Sequence, residues 1–223
     1  MAVSSGRVPE PTVARLSLYL RCLRQLATEG VKTVSSAQME ARLGITSAQI
    51  RKDLSHFGEF GRPGIGYDVQ HLLGRLTEVM QLDREQRALI VGAGNLGAAL
   101  VGYLGFADSP FRIVAIFDNN FSKIGRVLWN LEIQDVHRLS EINQGLRASI
   151  GLITVPGPAA QEVADIMVRS GIRAILNFAP AVVTVPLGVA LRNVDVTREL
   201  EILSYWMKRI TSLPEPVSAP ARE

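Results

Sequence analysis

The chain is poor in cysteine and in long apolar runs, and each shortage excludes a class of protein. Cys22 is the only cysteine among 223 residues, so neither an intrachain disulfide nor a cysteine metal cluster can form, and we expect no metal. No apolar run approaches the roughly 18 residues of a membrane helix, and no secretory signal opens the sequence. We therefore expect a soluble cytoplasmic protein with no membrane partner.

The chain also lacks a marked excess of charge of either sign. It carries 24 Lys and Arg against 21 Asp and Glu, a net charge of +3. Any contact with nucleic acid must therefore come from the local placement of charge and not from a basic tail. The length suits one large or two small domains with sizeable cores.

A glycine-rich stretch after the apolar residues 88–91 organises the second half of the chain. Its pattern is Gly92-x-Gly94-x-x-Gly97, which predicts a buried strand, a tight turn and a helix running to Gly105. This is the dinucleotide-binding fingerprint in its required context, with free N–H groups of the helix facing the phosphates. The residues predicted to bind the cofactor here are Gly92, Ala93, Gly94, Asn95, Leu96 and Gly97.

An acidic residue follows at the spacing that this fingerprint requires. Residues 111–117 predict a second strand that ends at Asp118, twenty-one residues after Gly97. An acid at this point holds a ribose 2′-hydroxyl and repels a 2′-phosphate, which favours NAD over NADP, although Lys123 and Arg126 weigh against that preference. The alternative is a plain glycine turn in an α/β protein that binds another nucleotide or coenzyme A.

Further strands alternate with helices and predict a parallel sheet. Strands are expected over 132–136, 149–155 and 174–178, a last strand is expected to finish at 192–195, and a helix is expected over 159–170. Residues at the carboxyl ends of two of these strands should border the ligand crevice, unless they form ordinary turns. They are Thr154, Val155, Pro156, Asn177, Phe178, Ala179 and Pro180.

The first half of the chain predicts a winged helix-turn-helix. A helix over 11–29 precedes two short helices, which begin at capping boxes made by Ser35 with Gln38 and by Thr46 with Gln49. The second short helix presents polar and small residues opposite its apolar face, of the types that read DNA. They are Ala48, Lys52, Ser55 and His56, with Gln49 and Arg51 on the shoulders of this face.

Glycines around Arg62 predict a wing beside the second short helix. Four glycines and one proline lie between Phe57 and Tyr67. A helix over 69–80 and the charged run 83–87 follow, and the latter is the expected linker. The alternative for this half is a small helical interaction domain without DNA contacts.

The C-terminal helix, expected over 197–210 with Thr197 as its cap, has an apolar side too wide for ordinary surface packing. It includes Leu203, Trp206 and Met207, which favours a partner surface. The proline-rich tail is expected to be disordered. The predicted domains are therefore 1–85, 86–196, 197–213 for the dimerisation helix, and 214–223 for the tail.

Together these features resemble the Rex family of redox-sensing transcriptional repressors over nearly the whole chain. The most specific matching segments are residues 49–55, Phe57-Gly58 with 64–67, Phe117-Asp118, 123–125 and 176–180. The resemblance implies an α/β fold with a winged helix, a Rossmann-like domain and a C-terminal helix exchanged in a homodimer. It also implies competition between NADH and NAD, and an operator of inverted-repeat double-stranded DNA.

Residue roles follow from the resemblance by position. It places Lys52 and Ser55 in the DNA groove, Arg62 in the wing and the glycine turn with Asp118 on the dinucleotide. Lys123 is added to the cofactor site, and the full predicted DNA-binding set is Ser47, Gln49, Arg51, Lys52, Ser55, His56, Arg62 and Tyr67. The resemblance further suggests a polar relay of Arg21, Tyr103 and Asp195. Val196 departs from the larger residue that some relatives have there.

The main rival is an NAD-dependent dehydrogenase with an accessory N-terminal domain. Such an enzyme needs a general acid or base near the hydride acceptor. Only His137 of the three histidines lies in the cofactor half, and no Tyr-x-x-x-Lys occurs. We therefore predict no catalytic residue and a protein that reads its cofactor without converting it.

Overall fold

A computed structural model describes residues 8–62, 64–103 and 109–211, and the side chain of Arg62 is outside this description. The chain divides into two compact units between Glu85 and Gln86. The tail predicted from residue 214 lies outside the described residues.

The first unit is a winged helix. Its helices are α1 (Glu10–Thr28), α2 (Ser36–Leu43), α3 (Ser47–Ser55) and α4 (Val69–Val79). Its strands are β1 (Thr33–Val34), β2 (Gly61–Arg62) and β3 (Gly66–Asp68), which form an antiparallel sheet in the order β1-β3-β2. The predicted architecture of this half is confirmed.

The buried face of α1 includes Leu16, Tyr19 and Leu23, and the Tyr19 hydroxyl bonds to Asp53 of α3. Val13 lies off this face and is 40% exposed. The second capping box does not form, because the Gln49 side chain turns toward Asp53 and leaves Thr46 to cap α3 alone. Helix α3 ends at Ser55, so Phe57 lies beyond it.

The second unit is built on one sheet of seven strands. They are β4 (Gln86–Val91), β5 (Phe111–Asp118), β6 (Val127–Leu128), β7 (Leu131–Asp135), β8 (Ile150–Ile153), β9 (Ala174–Asn177) and β10 (Ala190–Asn193). The order is β10-β9-β8-β4-β5-β7-β6, and every pair is parallel except β6 with β7. The predicted parallel sheet is confirmed.

Four helices accompany this sheet, and they correct several predicted boundaries. They are α5 (Asn95–Val101), α6 (Leu139–Leu146), α7 (Ala160–Arg169) and α8 (Val196–Thr211). Helix α6 was not predicted, and α5 ends at a Gly102 cap before the expected Gly105. Helix α8 begins before the expected Thr197 cap, because the Asp195 carboxylate accepts the Arg198 N–H at 3.1 Å.

The strand order reverses at β4, since the chain proceeds from β4 through β5 to β7 on one side and from β8 through β9 to β10 on the other. Loops leaving the carboxyl ends of β4 and β8 therefore diverge and open a crevice. Leu89, Val91 and Ile153 are buried beneath this point and hold the two strands in place.

Helix α8 presents unusual apolar exposure. Leu200 and Leu203 are each 58% exposed, and Met207 is 66% exposed. Across the described residues, no helix combines the length and apolar character required to span a membrane.

Candidate functional site

A cavity of about 610 Å³ lies where the strand order reverses. Seven of the predicted cofactor-binding residues line it: Gly92, Gly94, Asp118, Lys123, Thr154, Val155 and Pro156. The fold thus brings together residues that are distant in sequence, from the ends of β4, β5 and β8.

The glycines of the turn differ in what surrounds them. A Cβ on Gly92, whose φ is +112°, would lie 2.6 Å from the Thr154 carbonyl oxygen, and one on Gly97 would lie 1.9 Å from the Gly92 carbonyl oxygen. A Cβ on Gly94 would meet no atom within 4 Å. Gly92 and Gly97 are therefore required by the fold, while the space at Gly94 is open to a ligand.

Thr154 closes the turn from the neighbouring strand. Its hydroxyl lies 2.8 Å from the Gly92 carbonyl oxygen and 3.1 Å from that of Val91. This contact crosses the reversal point and fixes the glycine turn relative to β8.

Asp118 is buried at the edge of the cavity, with 6% of its surface exposed. Its carboxylate accepts the N–H groups of Ala93 and Asn120, each at 2.8 Å, and the Lys123 ammonium at 2.9 Å. Burial raises the pKa of this carboxyl, but the hydrogen bonds from Lys123, Asn120 and Ala93 outweigh it, so the pKa is lowered. Asp118 is therefore an anion that can accept a ribose hydroxyl.

The remaining predicted cofactor residues are not among those that line the cavity. Ala93 bonds to Asp118 through its N–H, and Asn95, Leu96 and Gly97 form the first turn of α5. Asn177 is 1% exposed, and its amide bonds to the loop after β9 and to Asn193 Oδ1 at 2.9 Å. Asn177 thus holds the loop that contains Phe178, Ala179 and Pro180, and a ligand contact from this loop stays a prediction.

The sequence analysis missed eight residues that line the cavity. They are Asn119, Asn120, Val136, His137, Ala159, Glu162, Val163 and Ile166. Glu162, Val163 and Ile166 share a face of α7, so helical spacing from the predicted Pro156 turn could have found them. His137 follows β7 in a short 3-10 turn that has no comparable signal.

The outward face of α3 carries three of the eight predicted DNA contacts, Arg51, Lys52 and Ser55. Ala48, Arg51, Lys52 and Ser55 are exposed. Arg51 donates to the Ser36 hydroxyl at 2.9 Å, and the Ser55 hydroxyl donates to the Lys52 carbonyl at 2.8 Å. Two cations and a hydroxyl therefore project from one face, as a major-groove reader requires.

Two further predicted residues of this region have structural partners. The Ser47 N–H donates to the Glu40 carboxylate at 2.9 Å, and its hydroxyl bonds to the same oxygen. The His56 ring lies edge-on to Phe57, with centroids 6.4 Å apart.

The wing lies beside a groove of about 680 Å³, which Ser36, Arg51, Ser55 and Tyr67 help to line. Gly66 has a φ of +95°, and a Cβ there would lie 2.6 Å from the Val34 carbonyl oxygen. Tyr67 is only 8% exposed because β3 turns its ring into the core, so this residue is not a freely presented DNA contact. Burial raises the pKa of Tyr67.

Asp53 is the main feature of α3 that the sequence analysis missed. It is fully buried and accepts five hydrogen bonds, from Thr12, twice from Arg15, from Tyr19 and from Gln49. Burial alone would raise the pKa of its carboxyl, but the bonds from Arg15, Tyr19, Gln49 and Thr12 hold it far below its ordinary value. Arg15 thus anchors α3 to α1.

The predicted relay comprises one residue of the first unit and two of the second. Arg21 is exposed on α1, and Tyr103 follows α5 and is 57% exposed. Asp195 caps α8. Their action as a relay stays a prediction. No group of three or more potential metal ligands occurs within residues 8–62, 64–103 and 109–211.

The two halves match different family models. Residues 7–55 match "Putative DNA-binding protein N-terminus", and residues 83–181 match "CoA binding domain". These matches correspond to the two structural units.

Curated relatives match over most of the chain. The chain is 48% identical to the redox-sensing transcriptional repressor Rex of Syntrophomonas wolfei, over 90% of this chain and 96% of that protein. It is 44% identical to the same repressor of Streptomyces coelicolor, over 93% and 81% of the respective chains.

Solved structures agree with this similarity. RSP in complex with β-NAD⁺ and operator DNA has a TM-score of 0.87 and 37% identity, over 93% of this chain and 95% of that chain. RSP in complex with β-NADH has a TM-score of 0.82 and 36% identity, over 92% and 96%. RSP is described as a Rex-family repressor.

Proposed function

Because the chain belongs to the Rex family of redox-sensing transcriptional repressors, we propose that it binds operator DNA as a homodimer and releases it when NADH occupies the second unit. The observation that carries this proposal is the buried Asp118 anion at the reversal of the sheet, beside the open space at Gly94. The operator is an inverted repeat of double-stranded DNA, matching the two-fold symmetry of a dimer.

The residues of the cavity fit a dinucleotide. Asp118 would hold a ribose 2′-hydroxyl, and Gly94 would admit the pyrophosphate close to the backbone. The bound cofactor supplies the redox signal through the oxidation state of its nicotinamide. We retain the predicted cofactor set, with Lys123 as the neighbour that keeps Asp118 ionised.

The exposed face of α3 would enter the major groove, with Lys52, Ser55 and Arg51 as the groove residues. Arg62 in the wing would contact the adjacent backbone or groove. An operator-binding repressor works where the chromosome is, so we place the protein in the cytoplasm.

A dehydrogenase explains the cavity less well. Asp118 pairs in register with Asp135, and His137 lies two residues beyond Asp135. His137 thus lies near the ribose-binding end marked by Asp118, whereas hydride transfer takes place at the nicotinamide. The repressor proposal needs no acid or base there.

A DNA-release assay tests the proposal. The full chain is first used to enrich bound sequences, expected to be inverted repeats, from a random DNA library. Release of the enriched DNA is then followed by its anisotropy, with NADH, NAD⁺, NADPH and coenzyme A added separately. We expect NADH to release DNA at the lowest concentration. Failure to enrich any sequence, or release by coenzyme A alone, would contradict the proposal.

The matched variant for this assay is Asp118→Asn. It keeps the size of the side chain but removes the charge that repels a 2′-phosphate. We expect it to narrow the preference for NADH over NADPH, while Arg112→Ala, at the opposite end of β5 from Asp118, leaves that preference unchanged.

A further inference from the structure

Gln49 lies in the first turn of α3, where a recognition helix approaches base edges. Its side-chain nitrogen, Nε2, donates to Asp53 Oδ1 at 2.8 Å. The amide of Gln49 is therefore tied to a buried group of its own helix, one turn further on.

The chemistry of Asp53 fixes which end of the amide faces it. Thr12, Arg15 and Tyr19 all donate to this carboxylate, and Arg15 does so with two nitrogen atoms. An ionised carboxylate only accepts hydrogen bonds. The amide oxygen of Gln49 cannot take the place of the nitrogen without facing a negative charge.

The oxygen of the same amide is left for an outside partner. Among the described residues, Gln49 Oε1 accepts no hydrogen bond, and no buried side-chain oxygen lacks a partner. Oε1 therefore reaches solvent on the half-exposed shoulder of α3. This shoulder adjoins Lys52, one of the proposed groove residues.

We infer that Gln49 reads an exocyclic amino group of a base, adenine N6 or cytosine N4, through Oε1, and that Asp53 is the positioning residue that sets this orientation. In the major groove these amino groups are donors, whereas guanine presents two acceptors. The Gln49 carbonyl cannot read guanine. This inference rests on the proposed operator binding.

Base analogues in the enriched operator test the inference. Each adenine of a half-site is replaced in turn by purine, which lacks the amino group, or by 7-deazaadenine, which lacks the N7 acceptor. Cytosines are replaced by the pyrimidinone without the amino group. Affinities are measured for the wild-type chain and for Gln49→Ala.

At one position, loss of the amino group should weaken wild-type binding about fivefold, the usual effect of one hydrogen bond, and leave Gln49→Ala unchanged. A base change is coupled to Gln49 when it weakens binding of the wild-type chain and not of Gln49→Ala. Coupling to the loss of an amino group, with or without coupling to the loss of N7, supports the inference. Coupling to N7 alone or to no base overturns it, while the operator binding of the wild-type chain shows that the proposed function stands. If no operator is enriched, the proposed function itself has failed.

Two variants separate positioning from stability. Asp53→Asn should abolish the amino-group coupling, because the amide of Gln49 is no longer held in one orientation. Tyr19→Phe removes one donor from Asp53 Oδ2 and leaves the Gln49 bond to Oδ1 intact, so it should lower the melting temperature and keep the coupling. If Asp53→Asn keeps the full coupling, or Tyr19→Phe loses it, Asp53 does not set the orientation.

Discussion

Arg15 binds the carboxylate of Asp53 with two nitrogen atoms, Nε at 2.6 Å from Oδ2 and Nη2 at 2.8 Å from Oδ1. The Asp53 side chain is 1% exposed and that of Arg15 is 25% exposed. The pair joins α1 to α3 and thereby fixes the helix proposed to read DNA. A planar guanidinium suits this fork because both bonds form without distortion.

Arg15→Ala should destabilise the first unit strongly. It leaves the buried carboxylate without its counter-ion, which costs about 3 kcal/mol, at the low end for a broken buried pair because other donors remain. Urea unfolding, monitored by hydrogen exchange in α1 and α3, gives the midpoint from which the loss of unfolding free energy is measured. Arg24→Ala, on the exposed face of α1, is the control and should change little; equal effects of the two variants would contradict this account.

The same carboxylate makes stability depend on pH. Its pKa is lowered in the folded chain from an ordinary value of 3.8, so its contribution is fully present above that value. The contribution is lost as the pH falls toward the folded pKa, since the unfolded chain then binds more protons. The difference in unfolding free energy between wild type and Asp53→Asn should therefore shrink from pH 5 to the lowest accessible pH. A constant difference would show that folding does not lower the pKa of Asp53.

The sequence predicted both units because their signals are local. Alternating strands and helices, the glycine turn and Asp118 all follow from spacing along the chain. The polar attachment of α1 to α3 did not, because Asp53 accepts the Tyr19 hydroxyl from 34 residues away. A pattern of apolar residues contains no information on such a polar contact.

The residues of the cavity also divide into those that local spacing predicts and those that depend on distant parts of the chain. Gly92, Gly94 and Asp118 follow from a motif whose spacing is set by one strand-turn-helix unit and the next strand. His137 and Ile166 come from elements that meet only when the sheet order reverses. Asn177 has the sequence position of a ligand contact, and its bonds to its own loop are not signalled by that position.

Two glycines of the turn should respond differently to the same substitution. Gly97→Ala should lower both the melting temperature and the NADH affinity, because its Cβ would lie 1.9 Å from the Gly92 carbonyl oxygen. Gly94→Ala should keep the melting temperature and weaken NADH, because its Cβ would enter the space proposed for the pyrophosphate. Thermal melts with and without NADH measure both effects. Unchanged NADH affinity in Gly94→Ala would show that the ligand lies elsewhere.

The exposed apolar side of α8 should form the dimer contact. Leu203→Glu should weaken dimerisation by about 2 kcal/mol or more, because a charge enters an apolar interface on both subunits. Sedimentation velocity measures the dimer fraction. Gln144→Glu, which adds the same charge on the exposed surface of α6, is the control. A chain truncated after Val196 that still sediments as a stable dimer would place the interface elsewhere.

Communication between the NADH and DNA sites should be reciprocal. If NADH favours a dimer that misplaces the two recognition helices, operator DNA must weaken NADH binding by the same factor. Couplings of about 1–3 kcal/mol per site are typical, and a nearly complete switch needs about 5.5 kcal/mol, which two sites in one dimer could approach together. NAD⁺ must couple more weakly than NADH, because otherwise the protein would report the amount of cofactor and not its redox state. Calorimetry of NADH binding with and without operator DNA measures this coupling directly.

Arg21 tests how that coupling is transmitted. If Arg21 acts with Tyr103 and Asp195 as a relay, Arg21→Ala should leave NADH affinity nearly unchanged in the absence of DNA, since Arg21 does not line the cavity. The effect of operator DNA on NADH affinity should fall toward zero, because both sites remain but the contact that connects them is lost. Arg24→Ala, one turn along the exposed side of α1, should keep the full coupling. Equal NADH affinities with and without DNA in the wild-type chain would rule out the switch itself, whereas full coupling in Arg21→Ala would rule out only the relay.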